Sequence, residues 1–291
     1  MDIFLTSASG QVGAAVAAAL EQRGHRVAAL VRSASSAARA RAAGARPIDG
    51  TLAEIARHRA IVHAADAVIH TAMEYTADGT ENAALDRACT EALLGALKPG
   101  ARFIYTSNAY LPGVVDEAPV AAAAADPRRG WRLALERDVL DAGAHTAVLR
   151  LGMVYGRGDG GTVADLTAAA AATAPLPYLA GAGANRWSLV HLDDAAALYA
   201  AIVEAAAGGI FHAVDGAPRA IAQVAALVAS LSANTAVEAD EAVLRARLDA
   251  HTVDLMHRDV ALAAPRAAAI GWKPAYASLD AFVAERRGGV R

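Results

Sequence analysis

The chain has 291 residues, 55% of them hydrophobic, which is enough for a substantial buried core in one large domain with or without an appendage. Its formal net charge of −3 carries no block of like charges, which argues against nucleic acid or a membrane surface as the partner. Cys89 is the single cysteine, so an intrachain disulfide and a cysteine-based metal site are both excluded.

Short apolar runs alternate with helical stretches from the N-terminus onward. "DIFLTS" (2–7) reads as a strand and "QVGAAVAAALEQRG" (11–24) as a helix. "RVAALVR" (26–32) is a second strand, followed by helix "SSAARARAAG" (35–44), a short strand "ARPIDG" and helix "LAEIARHRAIVH". "DAVIHTA" (66–72) is a buried strand and "TENAALDRACTEALLGAL" a helix; "ARFIYTSN" (101–108) is the next strand. Helix "WRLALERDVLDAG" then leads into strand "HTAVLRLGMVYG" (145–156). This rhythm predicts an α/β fold with a doubly wound parallel sheet.

After Gly156 the rhythm breaks. "GRGDGG" is a loop, "VADLTAAAAATA" a helix and "PLPYLAGAGANRW" irregular. "VHLDDAAALYAAIVEAA" (190–206) reads as a helix with Asp193 and Asp194 at its positive end, and "GIFHAVDG" (209–216) as one more strand of the main sheet. The remainder is two or three helices reaching "IGWKPAYASLDAFV", with "ERRGGVR" a frayed tail.

The first βα turn reads "LTSASGQVG", with Gly10 and Gly13 in place and Ser7 where a further glycine would stand. Unpaired amides at a helix N-terminus attract a pyrophosphate, and glycines let the backbone approach it. Thr6, Ser7, Ser9, Gly10, Gln11, Val12 and Gly13 are therefore candidate dinucleotide contacts. Serine at position 7 fits if its φ stays negative. At the end of the second strand stand Arg32 and Ser33, with no acid to accept a ribose 2′-hydroxyl. Arginine matches a 2′-phosphate by charge and geometry, so NADP is the expected cofactor. Thr71 and Ala72, ending the fourth strand, complete the cofactor set. Residues 1–156, with 187–216 returning to them, are expected to form a Rossmann dinucleotide-binding domain, and 157–186 with 217–291 a smaller, discontinuous substrate lobe.

These stretches together resemble the short-chain dehydrogenase/reductase superfamily, in its extended and atypical branch of nucleotide-sugar epimerase-like and NmrA-like proteins. "LTSASGQVG" is similar to the TGxxGxxG loop, and "FIYTSNAYLPG" to the fifth strand with its catalytic-site Ser/Thr, here Ser107. "LRLGMVYGRGD" looks like the sixth strand, "VHLDDAA" like the V-H-x-D-D-x-A helix start, and "IGWKPAYASLDAFV" like the C-terminal LGWxP stretch. The resemblance covers nearly the whole chain. It implies hydride chemistry with a nicotinamide cofactor and a homodimer through two helices on the sheet's flank.

The superfamily's Tyr-x-x-x-Lys pair is absent. Only Lys98 and Lys273 are lysines, and the residues four earlier are Leu94 and Ala269. The expected Tyr position falls on Arg128 or Trp131, and the Lys position on Arg132 or Leu135. Arg132 can keep the cationic part of the lysine's role but cannot shuttle a proton. Ser107, Tyr110, Arg132 and Tyr155 are the catalytic candidates, each with a structural alternative. Met73, Tyr75, Trp131, Met153, Trp187 and His191 are the candidate substrate contacts, and their apolar and aromatic character suits a largely apolar small molecule. His191 reads more readily as a helix-start hydrogen bond that orients the lobe, and Asp193 and Asp194 as a cap and a dipole partner.

The expected function is an NADP-dependent oxidoreductase acting on a carbonyl or enone of a small, largely apolar metabolite. The missing pair keeps open a non-redox isomerase, cyclase or dehydratase, and an NADP-sensing regulator. The first strand begins at once, so no signal peptide is expected; no Ala-rich run has the length of a membrane span, and no histidine pair has zinc-ligand spacing. A cytoplasmic protein without membrane, nucleic-acid or metal partners is expected.

Overall fold

The computed structural model describes residues 1–76, 81–120, 130–156, 161–172 and 174–288. In chain order the first half comprises β1 (Asp2–Leu5), α1 (Gln11–Gln22), β2 (Arg26–Val31), α2 (Ala34–Ala42), β3 (Arg46–Asp49), a 3-10 turn (Leu52–His58), α3 (Arg59–Ala64), β4 (Ala67–His70), α4 (Ala83–Leu94), β5 (Arg102–Asn108), α5 (Gly130–Asp141) and β6 (Thr146–Leu151). There follow β7 (Met153–Tyr155), α6 (Thr162–Ala172), β8 (Leu176–Leu179), β9 (Arg186–Trp187), β10 (Leu189–His191), α7 (Leu192–Ala205), β11 (Gly209–Ala213), β12 (Arg219–Ala220), α8 (Ile221–Ser230) and β13 (Ala236–Ala239). The chain closes with α9 (Glu241–Arg245), α10 (Ala250–Met256), α11 (Pro265–Ala269) and α12 (Leu279–Gly288).

Seven parallel strands form the main sheet in the order β11-β6-β5-β4-β1-β2-β3. The order reverses between β1 and β4, and in such Rossmann-like sheets the crevice beyond the strand ends at that point takes the ligand. Both faces of the sheet are covered, which is why β4 is buried at every position. Ile3, Leu5 and Ile69 face α1 and α7. Phe4, Val68, Phe103 and Tyr105 face the 3-10 turn and α3 to α5.

The expected single strand 145–156 is two strands. At Gly152 the chain leaves the main sheet: its N–H donates to Ala213 O (3.0 Å), while the next amide, of Met153, donates to Ser188 O (2.9 Å). A Cβ at 152 would lie 2.7 Å from Ser188 O and 3.1 Å from Ala213 O, so only glycine fits between the two neighbours. β7 then pairs with β10, and Val190 and His191 are strand rather than helix for that reason. The region expected to be irregular also contains β8 and β9, which pair with β13 and β12 from much later in the chain. Such partners leave no local signal. A second core forms around these strands, with Trp187, Leu189, Met153 and Tyr155 packed against α6, α8 and α12. Of the expected tail, Glu285 to Arg287 continue α12, and residues 289–291 lie outside the described residues.

Two stretches far apart in sequence are joined by one carboxylate. Asp194 accepts from Ala275 N (2.7 Å) and Tyr276 N (2.9 Å), and its carbonyl accepts from Trp272 Nε1 (3.0 Å). The start of α7 thus holds the "GWKPAY" segment in place. Among the described residues, no helix is long and apolar enough to cross a membrane.

Candidate functional site

A crevice of about 570 Å³ opens at the switch point and is lined by Thr6, Ser7, Ser9, Gly10, Gln11, Val12 and Gly13. Its other walls include Arg32, Thr71, Ala72, Met73 and Tyr75. The structure thus brings together nearly all of the cofactor candidates. Ser33 is turned aside: its hydroxyl caps α2 by accepting from Ser36 N (3.2 Å).

The glycine loop is held open by two different constraints. A Cβ on Gly13 would sit 1.8 Å from Ser7 O, so this glycine is needed for α1 to pack onto the turn itself. A Cβ on Gly10 would meet only Ser7 Oγ, at 3.8 Å. Gly10 is the N-cap of α1 and has no side chain with which to cap it, and this helix end opens onto the crevice that Gly10, Gln11, Val12 and Gly13 line. The described non-glycine residues with positive φ are Ala206 and Ala233; Ser7 is not one of them, and serine carries no backbone strain there. An open helix N-terminus in a cavity of this size fits a dinucleotide pyrophosphate.

At the far end of the crevice two residues stand that the sequence did not single out. Arg39, on α2, donates from Nε to Ser9 O (3.1 Å) and so reaches the glycine loop. Glu74, just after β4, faces Arg32 with Arg32 Nη1 3.6 Å from its Oε1. The short β2–α2 turn could have pointed to Arg39. Glu74 gave no signal, because its position depends on the segment folding back: Asn82 N donates to Glu74 O (2.9 Å), and Tyr75 bridges to Glu81.

Behind the crevice runs a chain of buried polar groups. Thr6 Oγ1 accepts from the amides of Thr71 (3.1 Å) and Ala72 (3.0 Å), so its own proton points to His70 Nδ1 (2.9 Å). His70 therefore carries its proton on Nε2 and donates to Asp86 Oδ1 (3.1 Å). Asp86 Oδ2 accepts from Tyr105 OH (2.6 Å), and the Tyr105 oxygen accepts from Arg132 Nη1 (3.1 Å). Burial works against a charged Asp86, but the His70 hydrogen bond, the Arg132 charge and Tyr105 hold its carboxyl below the usual value. Arg132 also pairs with Glu81 (3.0 Å), lies 3.9 Å from Met73 Sδ and sits 4.6 Å over the Trp131 ring. Burial opposes its charge as well, yet Tyr105, Glu81 and Asp86 keep it fully cationic. Of the two residues at the expected lysine position, Leu135 is buried in the apolar core, while Arg132 keeps a cation beside Tyr105. Arg128, four residues earlier, lies outside the described residues.

The structure places the other catalytic candidates away from the crevice. Ser107 is outside the crevice lining and donates to Glu136 Oε1 (2.5 Å) on α5; Glu136 is paired with fully buried Arg150 (2.6 Å). Arg150 in turn donates to the carbonyls of Asp116 and Ala118 (3.1 Å each), so this cluster pins the loop after β5. Tyr110 is buried and donates to Ser188 O (3.0 Å), and burial pushes its phenol well above the ordinary value. Tyr155 is 2% exposed, its hydroxyl has no partner among the described residues, and burial raises its pKa too. Burial likewise raises the phenols of Tyr105 and Tyr199, so none of these four buried tyrosines is poised to give up a proton at neutral pH.

The substrate candidates divide likewise. Met73 and Tyr75 line the crevice and Trp131 lies beneath Arg132. Trp187 is fully buried and donates to Leu255 O (3.1 Å), and Met153 belongs to the same second core, so neither lines the crevice. His191 accepts from Asp193 N (3.2 Å) and stacks on Tyr276 with ring centroids 3.5 Å apart. A separate cavity of about 410 Å³, lined by Tyr155, Val163, Leu279 and Phe282, meets the crevice at Gln11.

Residues 3–214 match the NAD dependent epimerase/dehydratase family. The chain belongs to that family. This epimerase/dehydratase family member is 33% identical over 242 residues to a 3-diazoavenalumate denitrifying reductase of a Streptomyces species, covering 77% of this chain and 79% of that protein. It is 31% identical over 225 residues to the 2'-dehydrokanamycin reductase of Streptomyces kanamyceticus, covering 72% of this chain and 60% of that one. In fold it is similar to a human epimerase family protein solved with NADPH, with a TM-score of 0.77, 19% identity and 99% of both chains covered. It is also similar to Thermus thermophilus UDP-glucose 4-epimerase solved with NAD, with a TM-score of 0.71, 19% identity and the same coverage. The family depends on nicotinamide dinucleotides, and membership together with the reductase relatives makes this an enzyme of the short-chain dehydrogenase/reductase type.

Proposed function

We propose that the protein is an NADP-dependent reductase acting on a carbonyl or enone of a small, largely apolar metabolite. The observation that carries the cofactor choice is the pair Arg32 and Arg39 at the adenosine end of the crevice, with no acid ending β2. Thr6 to Gly13 would hold the pyrophosphate, Thr71 and Ala72 the nicotinamide side, and the two arginines the 2′-phosphate. Bound there, the cofactor supplies the hydride.

The chain's own residues position and polarise. Arg132 offers a fixed positive charge beside Met73, held by Tyr105 and Glu81, and that charge suits an oxygen gaining electron density. It offers no proton, so protonation of the product falls to water. Residues 157–186 and 217–291 complete the substrate side in this reading. The names of the two reductase relatives support reduction as the reaction.

Calorimetric titration of NADPH and NADH against the wild type and Arg32→Ala tests the proposal. Weakening of NADPH alone is expected; equal weakening of both cofactors would remove the NADP assignment. Transfer of deuterium from labelled NADPH to a carbonyl panel tests the chemistry. The missing Tyr-x-x-x-Lys pair and the burial-raised phenols of Tyr110 and Tyr155 favour a non-redox isomerase, cyclase or dehydratase as the second reading, and cofactor binding without label transfer would select it.

A further inference from the structure

The charged side chains among the described residues lining the crevice are Arg32, Arg39 and Glu74. The acid is the anomaly, since a carboxylate repels the phosphates that the rest of the crevice is built to attract. Its position is fixed from both sides by the Asn82 amide on its carbonyl and the bridge between Tyr75 and Glu81. Its carboxylate crosses from the end of β4 to Arg32 at the end of β2, over the crevice, at 3.6 Å. Glu74 is 31% exposed and Arg32 is 70% exposed, so Arg32 can swing to another partner at little cost while Glu74 stays put.

We infer that Glu74 is a specificity-determining residue, which sorts dinucleotides by what they carry at the ribose 2′ position. This rests on the dinucleotide reading above. A 2′-phosphate must take Arg32 away from Glu74 and then sit beside the released carboxylate. A 2′-hydroxyl needs neither step: it donates to the Glu74 carboxylate, and Arg32 stays where it is. Glu74 therefore narrows the preference for the phosphorylated cofactor that Arg32 and Arg39 create, and leaves the crevice able to take both forms.

Glu74→Gln keeps the shape and removes the charge. Binding of NADPH and of NADH is measured by calorimetry for the wild type, Glu74→Gln, Arg32→Ala and the double variant, with melting curves to show that each is folded. NADPH is expected to tighten more than about fivefold in Glu74→Gln: about fivefold from removing one like charge at contact distance in a water-like dielectric, and a further part because Arg32 no longer has to leave Glu74. NADH is expected to stay level or weaken. The gain should shrink in the Arg32→Ala background, because Arg32 no longer needs releasing. An unchanged NADPH to NADH ratio in Glu74→Gln, or an equal gain with and without Arg32, would overturn the inference while leaving the dinucleotide reading intact. If the wild type binds neither cofactor, both fall.

Discussion

The two loop glycines should respond to the same mutation in opposite ways. In Gly13→Ala the new methyl would lie 1.8 Å from Ser7 O and 2.8 Å from Ser7 C. Both are backbone atoms, so the β1–α1 turn must move by more than an ångström. Alanine gains about 1 kcal/mol of helix propensity, but overpacking against backbone atoms falls in the upper part of the usual range and costs about 2–3 kcal/mol. The net loss of about 1–2 kcal/mol lowers Tm by roughly 3–6 °C in a domain of this size. Gly10→Ala meets nothing closer than 3.8 Å and has an ordinary φ of −81°. Poorer N-capping and the lower entropy of the unfolded chain each amount to about 0.5–1 kcal/mol with opposite signs, so Tm stays within about 2 °C of wild type. Its methyl nonetheless stands at the helix end where the phosphates must approach, and dinucleotide affinity should fall at least about tenfold. Melting curves with and without NADPH, paired with calorimetry, separate the two effects. A Gly10→Ala protein that binds as tightly as wild type would refute the assignment of this helix end to phosphate.

Removing Asp86 should expose how much the buried relay contributes. Asp86→Ala strands His70 and Tyr105 and leaves Arg132 short of countercharge, for an expected loss of about 3–5 kcal/mol in chemical denaturation. Because the Asp86 carboxyl is held below its unfolded value of 3.8, its stabilisation is complete above that pH and is lost as pH falls through the lower folded value. Asp86→Asn should therefore flatten the acid limb of the stability profile. For the Glu136–Arg150 pair, Arg150→Met alone should be strongly destabilising, whereas Arg150→Met with Glu136→Leu should recover much of the loss in urea melts, since the remaining buried charge is gone. Asp215 behaves oppositely to Asp86: burial raises its carboxyl to about 6, so its charged form weakens the fold above that pH and the penalty is relieved as pH falls through about 6 toward 3.8. Asp215→Asn should raise Tm more at pH ~8 than at pH ~5.

The sheet and the crevice were readable because their signals are local. β1, the glycine loop and α1 follow one another within residues 2–22, and the end of β2 supplies Arg32 directly. The second half was harder, because its strands find partners far along the chain. Leu176–Leu179 pairs with Ala236–Ala239, and nothing within either segment says so. Candidate side chains failed for a related reason. In a strand buried on both faces, alternation decides which side a residue faces, and Ser107 shares Tyr105's face, toward α5 and Glu136. Tyr110 and Trp187 look like cleft aromatics in sequence but are needed for the second core. The relay from Thr6 to Arg132 draws on β1, β4, α4, β5 and α5, and could be seen only once those elements were assembled.

The step at Gly152 has a bearing on motion. There a single residue separates a strand of the main sheet from one that serves the second core. The same abruptness recurs where Asn108 gives way to Ala109, where His191 opens α7, and between Ala213 and Val214. With the two cores joined at four such points, a swing of one half on the other has to bend all four together. The Arg32 guanidinium, 70% exposed at the crevice wall, can change partner without bending any of them.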